Sequence, residues 1–345
     1  MTPSINRETL HPTSGSNDAA PALIDGFNRR IDYIRVSVTD RCDLRCQYCM
    51  PEDFKGFEEP ANWLKHEEMA RIIAAFVRLG VGKVRLTGGE PLTRRGVSEL
   101  AAMVSAMPGV KDLAMSTNGT RLARYAADLK AAGVKRLNVS LDTLDAATFK
   151  EITRRDCLAD VLEGLTEARR VGFQSIKVNC VVHSGTPEHE VARLLDYTMS
   201  NDFILRLIET MPLGETGQKF KYVDLNEMGA RLAERFNLLA TVAHRGPGPA
   251  RYWATPDNVP ALGVITPMSQ HFCESCNRVR IGVDGTVYLC LGQENKVPLG
   301  AALRAGADDA ELERLIKEGI ANKPERHEFK TAPHRIIRIM AQTGG

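Results

Sequence analysis

Three cysteines stand close together in the run Arg41-Cys42-Asp43-Leu44-Arg45-Cys46-Gln47-Tyr48-Cys49-Met50. Thiolates at C-x3-C-x2-C spacing are metal ligands by their chemistry, and three is an odd number of them. A structural zinc is closed by four ligands, and a four-iron cluster held by protein alone takes four cysteines. Neither the C-x2-C-x2-C run of bacterial ferredoxins nor the C-x4-C-x2-C of plant ones fits. A cubane held by Cys42, Cys46 and Cys49 would leave one iron open to a ligand that is not protein. On this stretch alone, zinc stays an alternative.

A second triplet, Cys273, Cys276 and Cys290, has the spacing C-x2-C-x13-C. The residues between read as a hairpin turning at Asp284-Gly285, which folds Cys290 back beside the other two. Taken alone, the triplet also suits a zinc site completed by His271. Its spacer carries Arg278-Val279-Arg280, and two cations spaced by one residue on a strand face the same way. They can fork onto an anion. Arg35 and Arg85 lie inside apolar runs, and Lys177 near the start of another. Charges facing a barrel interior are expensive unless paired, so the five together point to a polyanion, with Glu209 or Asp142 as ordinary partners for one or two. Gly88-Gly89-Glu90-Pro91 offers bare backbone and one carboxylate, which suits a primary ammonium group, although Gly and Pro also make plain strand-to-helix turns. No G-x4-G-K-[ST] or G-x-G-x-x-G sequence occurs, so neither a P-loop nor a dinucleotide fold is supported.

The elements that must position these residues alternate. Apolar runs at 34–38, 84–87, 113–116, 137–141, 176–182 and 204–208 are separated by helical patterns at 66–79, 97–107, 122–132, 158–171 and 188–199. In the first helix Met69, Ile72, Ile73, Phe76 and Leu79 recur every three to four residues. Such alternation predicts a parallel sheet with right-handed crossovers. Six units are two short of a closed eightfold barrel, so the expected class is α/β, an open partial (β/α)6 barrel. The motifs then fall where strands end and βα loops begin, the face that carries active sites in such barrels. A helix at 225–236 and the break Gly246-Pro247-Gly248-Pro249 precede an α+β extension with a helix over 308–318, capped by Asp308. A tail of mixed basic and apolar residues ends at Gly344-Gly345. The expected organisation is a disordered leader at 1–27, the barrel at 28–245, and a cluster-bearing C-terminal region at 246–345.

Composition narrows the setting. The chain has 43% hydrophobic and 26% charged residues and a net charge of only +2, which argues against bulk nucleic-acid binding. No apolar run approaches membrane-spanning length, and the first 25 residues lack a signal-peptide core. The eight cysteines therefore read as ligands or redox groups of a cytoplasmic protein rather than disulfides. Cys157 and Cys180, outside both triplets, read as ordinary buried thiols.

The C-x3-C-x-Tyr-Cys and GGEP motifs resemble those of the radical S-adenosylmethionine (radical SAM) family. Within it, residues 28–345 resemble the GTP 3′,8-cyclases of molybdenum cofactor biosynthesis through Ser37–Cys42, Leu86–Leu92, Ser116–Gly119, Asn138–Asp142, Arg206–Met211, Cys273–Arg280, Cys290 and the terminal Gly-Gly. The resemblance implies two [4Fe-4S] clusters. One, on Cys42, Cys46 and Cys49, binds S-adenosylmethionine, with Tyr48, Gly89, Glu90, Ser140 and Met211 at contact positions. The other, on Cys273, Cys276 and Cys290, meets the purine of GTP, with Arg35, Arg85, Ser116, Lys177, Arg278, Val279 and Arg280 as GTP positions. Gly344 and Gly345 would enter the active site and position the radical. A 5′-deoxyadenosyl radical would take hydrogen from C3′ of the ribose, and C3′ would add to C8. The implied partners are GTP, an electron donor, a downstream accessory enzyme (MoaC) and a possible second copy of the chain, with no nucleic acid or membrane. A peptide-maturing radical enzyme with an auxiliary cluster, or a non-catalytic iron–sulfur or zinc regulator, are the alternatives.

Overall fold

The protein is described here by a computed structural model covering residues 22–51, 60, 62–242, 248–336 and 338–344. Six strands, β1 (Tyr33–Ser37), β2 (Lys83–Thr87), β3 (Asp112–Thr117), β4 (Arg136–Ser140), β5 (Ser175–Val182) and β6 (Ile204–Glu209), pair in parallel in sequence order. Helices His66–Arg78, Val97–Ser105, Leu122–Ala131, Leu158–Val171 and Glu188–Ser200 connect them. Alternation along a strand explains the layering. In β1, Ile34 and Val36 join one core with Met69, Ile72, Ile73 and Phe76 of the first helix, while Tyr33 and Arg35 turn to the opposite, inner face.

The sheet does not stop at six strands. β7 (Leu239–Thr241), β8 (Arg251–Ala254), β9 (Pro260–Ile265), β10 (Arg278–Ile281), β11 (Thr286–Tyr288) and β12 (Lys296–Pro298) extend it to twelve. The order is β12-β11-β10-β1-β2-β3-β4-β5-β6-β9-β8-β7, an open sheet that leaves β12 and β7 as edges. The partial barrel expected from the sequence is present, but the C-terminal extension adds to both of its edges. β9 lies parallel to β6, and β10 lies parallel to β1. Residues 266–277 therefore cross from one edge of the barrel to the other, carrying Cys273 and Cys276. These additions were hard to read because β7, β11 and β12 are three residues long and β9 contains Pro260 and Gly263, residues poor in strands.

Topology sends the two cysteine triplets to opposite ends of the strands. Cys42 follows β1, whereas Cys276 precedes β10, which runs parallel to it. The antiparallel β11 returns Cys290 to the same end as Cys276. The hairpin turn is the one expected: Gly285 N donates to Gly282 O at 2.9 Å, and Thr286 N donates to Asp284 Oδ1 at 3.0 Å.

Two expected boundaries look different in the fold. Residues 22–27, grouped with the leader, are packed: Leu23 is buried, and Asp25 pairs with Arg29 at 2.6 Å. The remainder of that leader, 1–21, lies outside the described residues. Across the 245/246 boundary, β7 and β8 pair with each other, so the sheet is continuous there.

Asp308 caps the helix Asp309–Ala321, its Oδ1 accepting from Glu311 N at 2.8 Å. Removing such a cap costs about 1 kcal/mol. Asp308→Ala should lower the urea midpoint accordingly, and Asp308→Asn should stay near the parent. An unchanged midpoint in Asp308→Ala would show that the cap contributes nothing.

Candidate active site between two cysteine triplets

The first triplet sits in a loop braced from three sides. Arg45 N and Gln47 N donate to Thr153 O and Ile152 O, both at 3.0 Å, seating the loop on helix Ala146–Thr153. Asn118 Nδ2 donates to Asp43 Oδ1 at 2.7 Å and lies 3.7 Å from Cys42 Sγ. The third brace is the Gly-Gly-Glu segment. Gly89 N donates to Thr39 O and Glu90 N to Arg41 O, at 2.8 and 2.7 Å. A Cβ on Gly89 would lie 2.2 Å from Arg41 O, so only glycine lets the two loops approach this closely.

Gly89, Ser140 and Met211 line a cavity with Cys42, Cys46, Tyr48 and Cys49. Glu90 does not. Its carboxylate is fully buried and accepts from Leu92 N, Thr117 Oγ1 and Asn118 N at 2.9, 2.8 and 2.6 Å. Burial lifts its pKa to about 7. Through these bonds Glu90 ties the ends of β2 and β3 together. Tyr48 Oη donates to Asp142 Oδ2 at 2.7 Å, and Asp142 Oδ1 accepts from Val181 N at 2.8 Å.

The donor chemistry fits an iron–sulfur cluster. Burial pushes the Cys49 thiol up to about 11, opposed by the amide of Ala341, and pushes Cys42 and Cys46 higher still. Thiolates so placed need a positive partner. No group of three or more His, Cys, Asp or Glu among the described residues converges as a site for one ion, and a cubane is wider than an ion. Cys273, Cys276 and Cys290 likewise line one wall of a second cavity. His271 does not line it; its ring faces Glu274 at 3.4 Å, which removes the fourth ligand of the zinc reading. Cys180 is buried in the core as expected, whereas Cys157 is only partly buried and packs against the core.

The second cavity is cationic to an unusual degree. Arg35, Arg85, Arg136, Lys177, Arg206, Arg278, Arg280 and Lys323 line it, and among the described residues no Asp or Glu does. Strand register explains the density, since Arg280, Arg35 and Arg85 are direct neighbours across β10, β1 and β2. The row continues through Ala114 to Arg136. Of these cations only Arg136 pairs with a carboxylate among the described residues, that of Asp112. The partners considered from sequence are engaged elsewhere: Glu209 accepts from Met268 N and Ser269 N, and Asp142 from Tyr48. Arg35 Nε and Arg278 Nε are buried with no hydrogen-bond partner. Burial, then the adjacent Arg280, depresses Arg35 well below the usual arginine range, and Arg280 itself falls to about 10. Val279, between Arg278 and Arg280, is itself 1% exposed. Ser116 accepts from Arg85 Nη1 at 3.3 Å and lies on the wall of the first cavity. Asn179, Ile208, Met211 and Met340 line both cavities, so the two are halves of one chamber.

The C-terminal tail enters this chamber. Helix Met340–Thr343 has Ala341 and Thr343 buried, and Arg280 Nη1 donates to the carbonyls of Thr343 and Gly344. Gly344 has φ +74°, and a Cβ there would meet Thr87 Cγ2 at 2.1 Å. Gly345 lies outside the described residues.

Sequence reasoning missed Arg136, Arg206, Lys323, Tyr33 and Tyr252. Arg206 carried the same signal as Arg35, a cation inside an apolar strand. Lys323 had none, since it follows an ordinary surface helix.

A model described as "Radical SAM superfamily" matches residues 36–198, and one described as "Molybdenum Cofactor Synthesis C" matches 203–329. The chain is 46% identical over 332 residues to a GTP 3′,8-cyclase of Pseudomonas putida (strain W619), covering 94% of this chain and 98% of that protein. It is 45% identical over 337 residues to the GTP 3′,8-cyclase of Paracoccus denitrificans, covering 95% and 97%. Among solved structures, Streptococcus suis SuiB bound to S-adenosylmethionine aligns with TM-score 0.60 and 15% identity, over 86% of this chain and 69% of that one. Native anSMEcpe with bound AdoMet aligns at 0.57 and 16%, over 86% and 82%. These two likenesses concern the fold.

Tyr33 provides a test of the cationic field. It accepts from Arg85 Nε at 2.5 Å. Burial raises its pKa, but Arg85, Arg35 and Arg278 outweigh burial and bring it down to about 7. An unfolded tyrosine ionises near ~10, so between those values the folded chain holds fewer protons and this group adds stability as pH rises. Tyrosinate absorbance should show a group titrating near pH 7 that Tyr33→Phe removes. A spectrum with no tyrosinate until the usual tyrosine range would contradict the field described.

Proposed function

The chain belongs to the GTP 3′,8-cyclase family of radical SAM enzymes, and from that premise we propose how its residues divide the reaction, the cyclisation of GTP to 3′,8-cyclo-7,8-dihydro-GTP that opens molybdenum cofactor biosynthesis. The observation that carries the assignment to these residues is the row of arginines across β10, β1 and β2, which have no carboxylate partner among the described residues and suit a polyanion such as a triphosphate.

Cys42, Cys46 and Cys49 would hold the cluster that binds S-adenosylmethionine, and Cys273, Cys276 and Cys290 the cluster facing the guanine. When bound, these groups supply the electron and the 5′-deoxyadenosyl radical that the reaction needs. Arg35, Arg85, Lys177, Arg278 and Arg280 anchor the phosphates, and Arg136 and Arg206 extend that anchor. Fixing the triphosphate at one end leaves ribose C3′ to be oriented toward the first cavity, the positional control on which such a transfer depends. Ser116 lies between the halves, bonded to Arg85 and bordering the first cavity. Ser140, Met211, Gly89 and Tyr48 border the S-adenosylmethionine side, with Tyr48 held by Asp142. Glu90 supports that side from behind. The tail, latched by Arg280, closes the chamber and excludes water from a reactive intermediate. The same reading makes an external reductant and the downstream enzyme MoaC partners of this chain, in the cytoplasm, and allows a homodimer. Among the described residues no helix is long and apolar enough to cross a membrane.

Separate removal of the triplets tests the division of labour. With Cys42, Cys46 and Cys49 replaced by Ala, about four irons and all S-adenosylmethionine cleavage should be lost. With Cys273, Cys276 and Cys290 replaced, a similar loss of iron should leave cleavage that no longer depends on GTP. Zinc at the second triplet after anaerobic purification would sink the assignment.

The tail is tested separately. Gly344→Ala forces a Cβ against Thr87 and a strained φ, so it should leave iron content and GTP binding intact while cyclised product nearly disappears. A truncation after Thr343 that cyclises GTP at the full-length rate would show the tail to be dispensable.

A further inference from the structure

Lys323 follows the helix Asp309–Ala321 and is 2% exposed. Its Nζ donates to the carbonyl of Leu289 at 2.5 Å, the residue before Cys290. That bond uses one of three ammonium donors. With no Asp or Glu of the described residues on the cavity wall, no carboxylate there repays the desolvation of this buried ammonium. Among the described residues, the other seven cations lining the cavity stand on β1, β2, β4, β5, β6 and β10 and face the chamber from its strands. Lys323 alone among them arrives from the C-terminal segment, on the wall that holds Cys273, Cys276 and Cys290.

The surroundings of Lys323 are built around those cysteines. Pro324 O and Glu325 O accept from Arg29 at 2.7 and 2.6 Å, and Arg29 Nη1 also donates to Cys273 O at 2.8 Å. Lys323 lines the same cavity as Cys276 and Cys290, and its bond to Leu289 O holds it beside Cys290. We propose that Lys323 is the electrostatic partner of the second cluster, its ammonium balancing the thiolate charge of Cys276 and Cys290 and raising the cluster's reduction potential. Reduction adds a negative charge, which a fixed neighbouring cation favours, and cluster potentials respond to net charge and to hydrogen bonds at sulfur. The proposal rests on the reading that these three cysteines hold a four-iron cluster.

The test uses the full-length chain with Cys42, Cys46 and Cys49 replaced by Ala, so that only the second cluster assembles. Iron content is measured first, and the midpoint potential then by redox titration followed by electron paramagnetic resonance. Lys323→Met should move the midpoint to more negative values, and Lys323→Arg should bring most of the shift back. Loss of iron in Lys323→Met with retention in Lys323→Arg would also support a charge role. A midpoint unchanged in Lys323→Met overturns the proposal, as does loss of iron in both variants, which would make the side chain structural. Absence of iron from the parent would instead overturn the cluster reading beneath it.

Discussion

Like charges held side by side without a counter-ion are the constraint to which the rest of this structure answers. Arg280, Arg35 and Arg85 share one register row on neighbouring parallel strands. At the ~5 Å spacing of strands, two unit charges repel by about 3 kcal/mol at an effective dielectric of ~20. Apolar burial on the outer face, where helices cover Ile34, Val36 and Leu86, keeps the strands paired despite that repulsion. The inner face is left charged, and an anionic ligand would relieve it. Tyr33 and Tyr252 partly do so: both phenols are lowered by the cations around them, against burial that raises them, and both accept hydrogen bonds from a cation.

Parallel strands also give the chamber two chemically different ends. Loops leaving β1 to β6 collect the first triplet, the Gly-Gly-Glu brace and Asp142 at one end. The crossing segment 266–277 and the return of β11 collect the second triplet at the other. Met211 and Met340 border both cavities. The tail joins the ends as well, because Arg280, a member of the charged row, holds Thr343 and Gly344 while Ala341 lies against Cys49. Tail docking and the cationic cavity are thus physically linked through one side chain.

The barrel and both triplets were legible because their signals are local. Cysteine spacing, a Gly-Gly-Glu-Pro turn and apolar runs of period 2 or 3.6 each act within a few residues. The hairpin carrying Cys290 was legible for the same reason, through Asp284-Gly285. Joining β9 to β6 and β10 to β1 was not, since those pairings link residues far apart in sequence through strands of four to six residues. Glu90 shows a different limit. Its type and neighbours suggested a ligand contact, whereas its bonds to Thr117 and Asn118, 27 and 28 residues away, had no local signal. Lys323 was invisible because its setting joins stretches far apart in sequence, Lys323 bonding to Leu289 while Arg29 ties Cys273 to Pro324 and Glu325.

The central claim is that S-adenosylmethionine and GTP occupy adjoining halves of one closed chamber, so that hydrogen passes directly between them. Incubating the reconstituted protein with S-adenosylmethionine, a reductant and GTP deuterated at ribose C3′ measures this. Deuterium recovered in the 5′-deoxyadenosine, with cyclised product formed alongside it, is the expected result. 5′-Deoxyadenosine free of deuterium, formed equally well without GTP, would contradict it.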